Sequence, residues 1–290
     1  MKVVKADGNI EEFKPQKIMR TLRRSGASGA TANKILNEII DTSYDGITTK
    51  EILKRVKTLL QKEEPQAAMR YDLKGAIMRL GPSGYPFETF VAKILEHYGY
   101  KTKLRTIVEG RFLRHEIDII AERMNGAAVR CMMECKFRNL PGTSVDTKDV
   151  LYTYARFLDL NEGNARGKGF RFDEVWVVSN ARISSQAIRY ANGKGMKLLC
   201  WRCHGGTSLE KMIEAKGLYP VTILRSVDRE TLEKLFAANL ILAKDLLLHD
   251  ISLLKKKTGL KEEKLRKLIS ETRRLLAHRL TPSNFAGEFK

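Results

Sequence analysis

A chain of 290 residues that is 43% hydrophobic has room for two or three domains with cores of their own, which excludes a wholly disordered protein. No run approaches the ~20 apolar residues of a membrane helix. Residues 1–14 hold no apolar core of signal-peptide length, so a soluble, cytoplasmic protein with no membrane partner is expected. The net charge of +19 is spread along the whole length and favours a polyanionic partner, most simply nucleic acid.

Residues 2–13 read K-V-V-K-A-D-G-N-I-E-E-F, two short strands around the Asp7-Gly8 turn pair. Helices are expected next. The first, 15–25, opens on Pro15 and puts Ile18, Met19 and Leu22 on one face. The second, 31–42, spaces Ile35, Leu36, Ile39 and Ile40 helically. A third, 48–63, starts with Thr48 and Glu51 at capping-box spacing, and a fourth, 65–80, stops at Gly81-Pro82. Lys5 and Lys17 offer cations to a triphosphate, with Arg20, Arg23 and Arg24 near in sequence.

This hairpin followed by helices carries Val3-Val4-Lys5, Asp7-Gly8, Phe13, Lys17-Ile18 and Ala68-x-x-Tyr71. It resembles the ATP-cone domain, the nucleotide-sensing module of ribonucleotide reductases and their repressor. The resemblance spans residues 1–82 and implies ATP or dATP as a regulatory ligand, with Val4, Lys5, Asp7, Gly8, Lys17 and Tyr71 as its binding residues. Lys5-Ala6-Asp7-Gly8 departs from the K-R-D-G frequent in that family and lacks its arginine.

Gly81 to Pro86 is a linker by composition. Residues 83–216 then alternate between helix and strand. Helices are expected over 87–98, 147–159 and 184–193, and strands over 104–108, 174–180 and 196–201. In the 147–159 helix, Val150, Leu151, Tyr154 and Leu158 are expected to point inward. Such alternation predicts a mixed sheet with helices on both faces.

Between these elements, R-H-E-I-D-I-I-A-E-R and A-A-V-R-C-M-M-E-C-K-F flank a Met124-Asn125-Gly126 break and read as two antiparallel strands. Side chains alternate along a strand, so Glu134 and Lys136 share a face that Asp118 reaches across the pair. Carboxylate oxygens suit a hard divalent cation such as Mg²⁺, which polarises a phosphoryl oxygen and acidifies a bound water. Lys136 would orient that water or offset charge at phosphorus. The bland alternative is the wet face of a charged hairpin. Against it, both acids lie in otherwise apolar strands, where a bare charge is costly.

With Phe87-Glu88 on the opening helix, Asp118 on one strand and Glu134-x-Lys136 on the next, the segment resembles the PD-(D/E)xK nuclease superfamily and its Mrr-like restriction endonuclease branch. The resemblance implies a restriction endonuclease-like fold, with Glu88, Asp118, Glu134 and Lys136 catalytic. It implies Mg²⁺ or Mn²⁺ bound by Asp118 and Glu134, joined by the Cys135 carbonyl, with Glu88 on the metal or its water. Lys148 stands where many members have the glutamine of Gln-x-x-x-Tyr, with Tyr152 in place, and Glu116-Ile117 replaces a Gly-Gly. The cysteines at 131, 135, 200 and 203 read as small core residues. Cys200-Trp201-Arg202-Cys203-His204 matches a haem-attachment pattern that requires export, and a zinc site would have to draw on strand positions four apart.

Residues 217–280 change character. After Val221-Thr222-Ile223-Leu224-Arg225, the last stretch of strand composition, apolar residues follow helical spacing: Leu232, Leu235 and Phe236, then Leu246 to Leu248, then Leu265, Leu268, Ile269 and Leu276. Two helices joined by Thr258-Gly259-Leu260 resemble helix-hairpin-helix modules, in which backbone N–H groups hold a DNA phosphate. That resemblance implies DNA binding through Lys255, Lys256, Lys257, Gly259, Lys261 and Lys264. A lysine-rich protein-interaction module is the alternative. Residues 281–290 read as a tail.

The expectation is therefore a multi-domain chain made of a helical ATP cone with an N-terminal β-hairpin, an α/β restriction endonuclease-like mixed sheet and an all-α C-terminal module. Its expected function is metal-dependent hydrolysis of DNA phosphodiester bonds, modulated by ATP or dATP. A nucleotide-responsive DNA-binding regulator with an inactive nuclease-like domain, or an RNA-directed nuclease, are the alternatives. Double-strand cutting by one site per chain would favour a homodimer. No G-x-x-x-x-G-K-[ST] loop supports an energy-using motor.

Overall fold

The computed structural model describes residues 1–81, 83–123, 128–203 and 207–277. The Asn125-Gly126 turn, His204 and the 281–290 tail lie outside the described residues. Two units form, one from residues 1–77 with those from 221 onward, the other from 78–220.

In the first unit, β1 (Lys2–Val4) pairs antiparallel with β2 (Ile10–Glu12). The connection is longer than a two-residue turn. Gly8 N–H donates to the Lys5 carbonyl at 3.0 Å, and Gly8 takes φ +82°, which glycine adopts without steric cost. Then come α1 (Pro15–Arg24) and α2 (Gly29–Thr42), the latter capped by the Ser28 hydroxyl. A third strand that composition did not signal, β3 (Ile47–Thr48), lies parallel to β1. Thr48 Oγ1 accepts the Glu51 N–H at 3.1 Å and starts α3 (Thr49–Glu63). The helix expected over 65–80 is two, α4 (Pro65–Tyr71) and α5 (Leu73–Met78). The break falls at Asp72, whose carboxylate is held by Lys57 at 2.9 Å. Val3, Leu22, Ile35, Ile39, Ile47, Val56 and Leu60 make one core from the small sheet and the helices.

The second unit opens with α6 (Tyr85–His97), which takes Pro86 into its first turn. Next come β4 (Tyr100–Glu109), β5 (Arg114–Arg123), β6 (Val129–Lys136), β7 (Ser144–Val145), α7 (Thr147–Asn164), β8 (Glu174–Ser179), β9 (Arg182–Ile183), α8 (Ser185–Gly193), β10 (Lys197–Leu199) and α9 (Leu209–Lys216). The main sheet runs β10-β8-β6-β5-β4. Its β4-β5-β6 part is antiparallel and its β6-β8-β10 part parallel. Met132, Val175 and Val177 pack with Val150 and Leu160 of α7 and Ala187 of α8. Their pleat alternates Met133 and Val178 are buried as well, so both faces of the sheet are covered. The stripe expected on α7 is corrected: Leu151 and Leu158 are each 44% exposed, and Thr153, Arg156 and Leu160 are buried beside Val150. Cys200 and Cys203 are joined as a disulfide at the edge of this core, a bond the core reading did not include.

Residues 221 onward return to the first unit. The Val221–Ile223 stretch is a 3₁₀ turn, not a strand. Its Val221 N–H donates to the Ile241 carbonyl at 2.8 Å and its Thr222 hydroxyl to the Ala76 carbonyl at 2.6 Å, so packing overrides β propensity. After α10 (Arg229–Ala237) a second 3₁₀ turn, Ala243–Leu247, buries Leu246 and leaves Leu247 and Leu248 exposed, so only the first of the three expected leucines enters the core. The last elements are α11 (Ile251–Thr258), ended by Gly259 at φ +66°, and α12 (Glu262–Leu276). Leu265, Leu268 and Leu275 face inward, and Arg70 of α4 donates to the Leu275 carbonyl at 3.0 Å.

Candidate active site of the mixed sheet

The β5–β6 ladder runs from Arg123–Val129 to Ile119–Met133. Beyond it, Asp118 Oδ2 accepts the Cys135 N–H at 2.7 Å, so a side chain replaces a backbone acceptor. On the other side of β5, β4 pairs through Leu104–Ile119 and Thr106–Ile117 and skips the position between them. Arg105 stands there at φ +46°, an unfavourable conformation for a side chain of its size. From it, Arg105 Nη1 reaches Glu88 Oε2 at 3.1 Å, near the start of α6. Unusual backbone held in place by its surroundings is a recurrent feature of functional sites.

Glu134 and Lys136 follow at the end of β6, the lysine donating to Glu134 Oε1 at 2.8 Å. The second Glu134 oxygen is bound by Arg156 Nη1, and the same guanidinium donates to the Glu116 carbonyl. Ser179 at the end of β8 donates to the Lys136 carbonyl at 2.6 Å and fixes the backbone beneath. Glu88, Glu134 and Arg156 are 8%, 6% and 8% exposed. So many buried charges require mutual neutralisation.

That neutralisation is incomplete at Asp118. Burial pushes its carboxyl up to about 7, with nearby Glu134 and Glu88 adding to the rise while the Cys135 N–H and Lys136 oppose it. Burial raises Glu88 as well, against the pull of Arg105, and the charges of Glu116 and Glu134 contribute. Burial also pushes the Cys135 thiol up. The structure thus brings Glu88, Asp118, Glu134 and Lys136 to one place, three acids among the three cations Arg105, Lys136 and Arg156, with burial the main penalty on Asp118. Among the described residues no trio of His, Cys, Asp or Glu forms a ready-made metal cage. Mg²⁺ needs none, since it binds through one or two carboxylates and keeps its waters. A carboxylate oxygen that accepts one hydrogen bond still has a lone pair, so the donor set fits such an ion.

Sequence reasoning missed Arg105 and Arg156. Arg156 had one signal, its position one turn beyond Tyr152 on α7, and its guanidinium lies 5.6 Å over the Tyr152 ring. Lys148 is exposed on the same helix.

The residues expected to hold nucleotide are partly gathered. Lys5 and Lys17 both reach Glu11, at 2.5 and 3.5 Å. Lys17 also lines a cleft of about 680 Å³ with Pro15, Met19, Arg20, Arg23 and Leu36. Val4, Lys5, Asp7, Gly8 and Tyr71 do not line it, and Tyr71 packs against the helical core. In the C-terminal module Lys255, Lys256, Lys257, Gly259 and Lys261 are exposed. Lys264 is instead ion-paired with Asp228 at 2.6 Å.

A five-stranded mixed sheet with helices on both faces is the fold expected of a restriction endonuclease-like domain. Family models agree: a restriction endonuclease model matches residues 81–202, an ATP cone domain model residues 1–73, and the "AF1548-like, C-terminal" model residues 219–276. An uncharacterized protein of Archaeoglobus fulgidus is 37% identical over 186 residues, 64% of this chain and 99% of that protein. A crystal structure of AF1548, a protein of unknown function, superposes with a TM-score of 0.57 at 36% identity over 67% of this chain and 98% of that one. The DNA modification-dependent restriction endonuclease AspBHI matches with a TM-score of 0.37 at 14% identity, over 53% and 38%. The chain belongs to the AF1548-like family, with an ATP cone ahead of its restriction endonuclease-like domain. Among the described residues no helix is long and apolar enough to cross a membrane.

Proposed function

We propose that the protein is a metal-dependent endonuclease that hydrolyses DNA phosphodiester bonds under the control of ATP or dATP bound to its cone. One observation carries the reading: Asp118, just past the end of the β5–β6 ladder, takes the Cys135 N–H and lies in a half-buried site with Glu134, Lys136 and Glu88. Asp118 and Glu134 would hold Mg²⁺ or Mn²⁺, with the Cys135 carbonyl beside them. When bound, the ion supplies Lewis-acid polarisation of a phosphoryl oxygen and an acidified water. Lys136 presents a cation where charge develops on the phosphorane oxygens, and its tie to Glu134 fixes its direction. Glu88, steadied by Arg105, would orient a water on the α6 side. Arg156 positions Glu134 without reaching the reacting atoms.

On the cone, Met19 and Leu36 would floor the cleft for a base while Lys17, Arg20 and Arg23 meet the phosphates. Lys5 shares Glu11 with Lys17 of α1, and the Asp7-Gly8 turn would complete the site. Lys255, Lys256, Lys257, Gly259 and Lys261 would add sequence-independent attraction for DNA. Lys264 supports that surface through Asp228. Double-strand cleavage would draw on two copies of the chain.

The test is cleavage of supercoiled plasmid with Mg²⁺ or Mn²⁺, with and without ATP or dATP, beside Asp118→Ala and Lys136→Ala. Cutting that needs metal, vanishes in both variants and responds to nucleotide supports the whole reading. Cutting by Asp118→Ala at the wild-type rate would refute the assigned site. Shifted but uncut DNA of every form would turn the reading to a regulator, and preference for RNA to an RNA-directed nuclease.

A further inference from the structure

The hairpin that joins β4 to β5 is built like a fixed tool. Gly110 N–H donates to the Leu113 carbonyl at 2.8 Å and closes the turn. One residue of α7, Asp159, then clamps it: its carbonyl accepts the Arg111 N–H at 2.9 Å, and its carboxylate accepts the N–H groups of Phe112 at 3.0 Å and Leu113 at 3.3 Å. The same carboxylate pairs with His115 Nε2 at 2.8 Å. The fit to α7 is close enough that a Cβ on Gly163 would stand 2.5 Å from the Gly110 carbonyl carbon.

What this clamp holds out is apolar. Phe112 is 72% exposed and Leu113 64%. The Arg111 guanidinium lies over the Phe112 ring at 4.5 Å, steadied by Glu162 at 2.9 Å, so a cation backs one side of an otherwise open ring. Arg114 is exposed beside it, and Ile107, 58% exposed, lies on β4 opposite Glu116. A turn that only connected two strands would need neither the clamp nor an aromatic tip. Leu113 and Asp118 are on the order of 17 Å apart along the strand, about five base steps of a nucleic-acid strand.

We propose that this hairpin is a nucleobase-stacking wedge: Phe112, backed by Arg111 and flanked by Leu113, stacks on an unpaired or unstacked base several nucleotides from the scissile phosphate. The inference rests on the nucleic-acid reading of the site and adds that the substrate is distorted or locally unpaired. Apolar wedges beside arginines act this way between base steps, and aromatic side chains stack on bases whatever their sequence. The tip carries two large apolar side chains between two arginines, Arg111 and Arg114, which matches a base with its phosphates better than an apolar protein surface.

The full chain is tested in EDTA, so that binding is read without cleavage. Oligonucleotides with 2-aminopurine are offered single-stranded, in a duplex opposite a mismatch, and fully paired. Wild type is expected to change 2-aminopurine fluorescence on the single strand, the mismatch or both, and which of them responds identifies the source of the unpaired base. Phe112→Ala should lose the change and bind that substrate at least about five-fold more weakly, and Phe112→Trp should restore both. Because Phe112 is exposed, the alanine variant should keep its circular dichroism, and Asp159→Asn gives an independent loosening of the clamp with an intermediate loss. If wild type binds these oligonucleotides and Phe112→Ala matches it in affinity and fluorescence, the wedge is refuted while the nuclease reading stands. If folded wild type binds no nucleic acid at all, the wedge falls together with the reading it rests on.

Discussion

Replacing Asp118 with asparagine should stabilise the metal-free protein while abolishing its activity. Asparagine keeps an oxygen for the Cys135 N–H but brings no charge beside Glu134 and Glu88. The carboxyl is raised from its usual 3.8 to about 7, and each pH unit of such a rise corresponds to ~1.4 kcal/mol. Burying the ionised form therefore costs up to ~4 kcal/mol above pH 7, and solvent at this half-buried site lowers that to roughly 2. The sign follows from the raised value. The folded state is favoured by the protonated acid at low pH and loses that advantage as pH rises from about 4 through about 7. Urea titrations in EDTA at pH 5 and pH 8 are the assay. Asp118→Asn should gain most on wild type at pH 8 and less than half as much at pH 5, and Mg²⁺ should stabilise wild type but not the variant. A variant less stable than wild type at pH 8, in EDTA, would show that Asp118 is a structural residue and refute the reasoning.

Further outcomes follow from other contacts. Arg156→Ala leaves buried Glu134 with one cation instead of two and should cost roughly 3 kcal/mol in urea unfolding, with Arg156→Lys recovering part of it. Asp159 is half-buried, and although burial raises its carboxyl, His115 and the Phe112 and Leu113 N–H groups hold it below the usual carboxylate range. Its contribution is full above about pH 4 and is lost as pH falls further, so Asp159→Asn should flatten acid unfolding in that window. Changing Lys255, Lys256 and Lys257 together to glutamine should weaken DNA binding without altering sequence preference. In a fluorescence anisotropy series, the slope of log affinity against log salt should fall by roughly 2 to 3.

The sequence alone determined the elements whose signals are local. The helix starts at Pro15 and Thr48 and the β5–β6 strands could be read because capping and period-two patterning involve near neighbours. The same patterning nominated Asp118, Glu134 and Lys136 as a group. The order of helices and strands implied a mixed sheet with helices on both faces, and its restriction endonuclease-like class followed from the resemblance carried by Phe87-Glu88, Asp118 and Glu134-x-Lys136.

Tertiary structure decided what depends on distant partners. The apolar residues of α7 suggested that Leu151 and Leu158 face the core, yet the helix buries Thr153 and Arg156, and Arg156 meets Glu134, twenty-two positions earlier. Val221 to Ile223 has strand composition and becomes a 3₁₀ turn because Ala76 and Ile241 satisfy its polar groups. Arg105 takes its strained backbone only where β4 skips a pairing opposite Asp118. A local pattern states which residues prefer to be buried. Which charge lies beside which is settled only when separate segments close on one another, because the cost of an unpaired buried charge is felt only there.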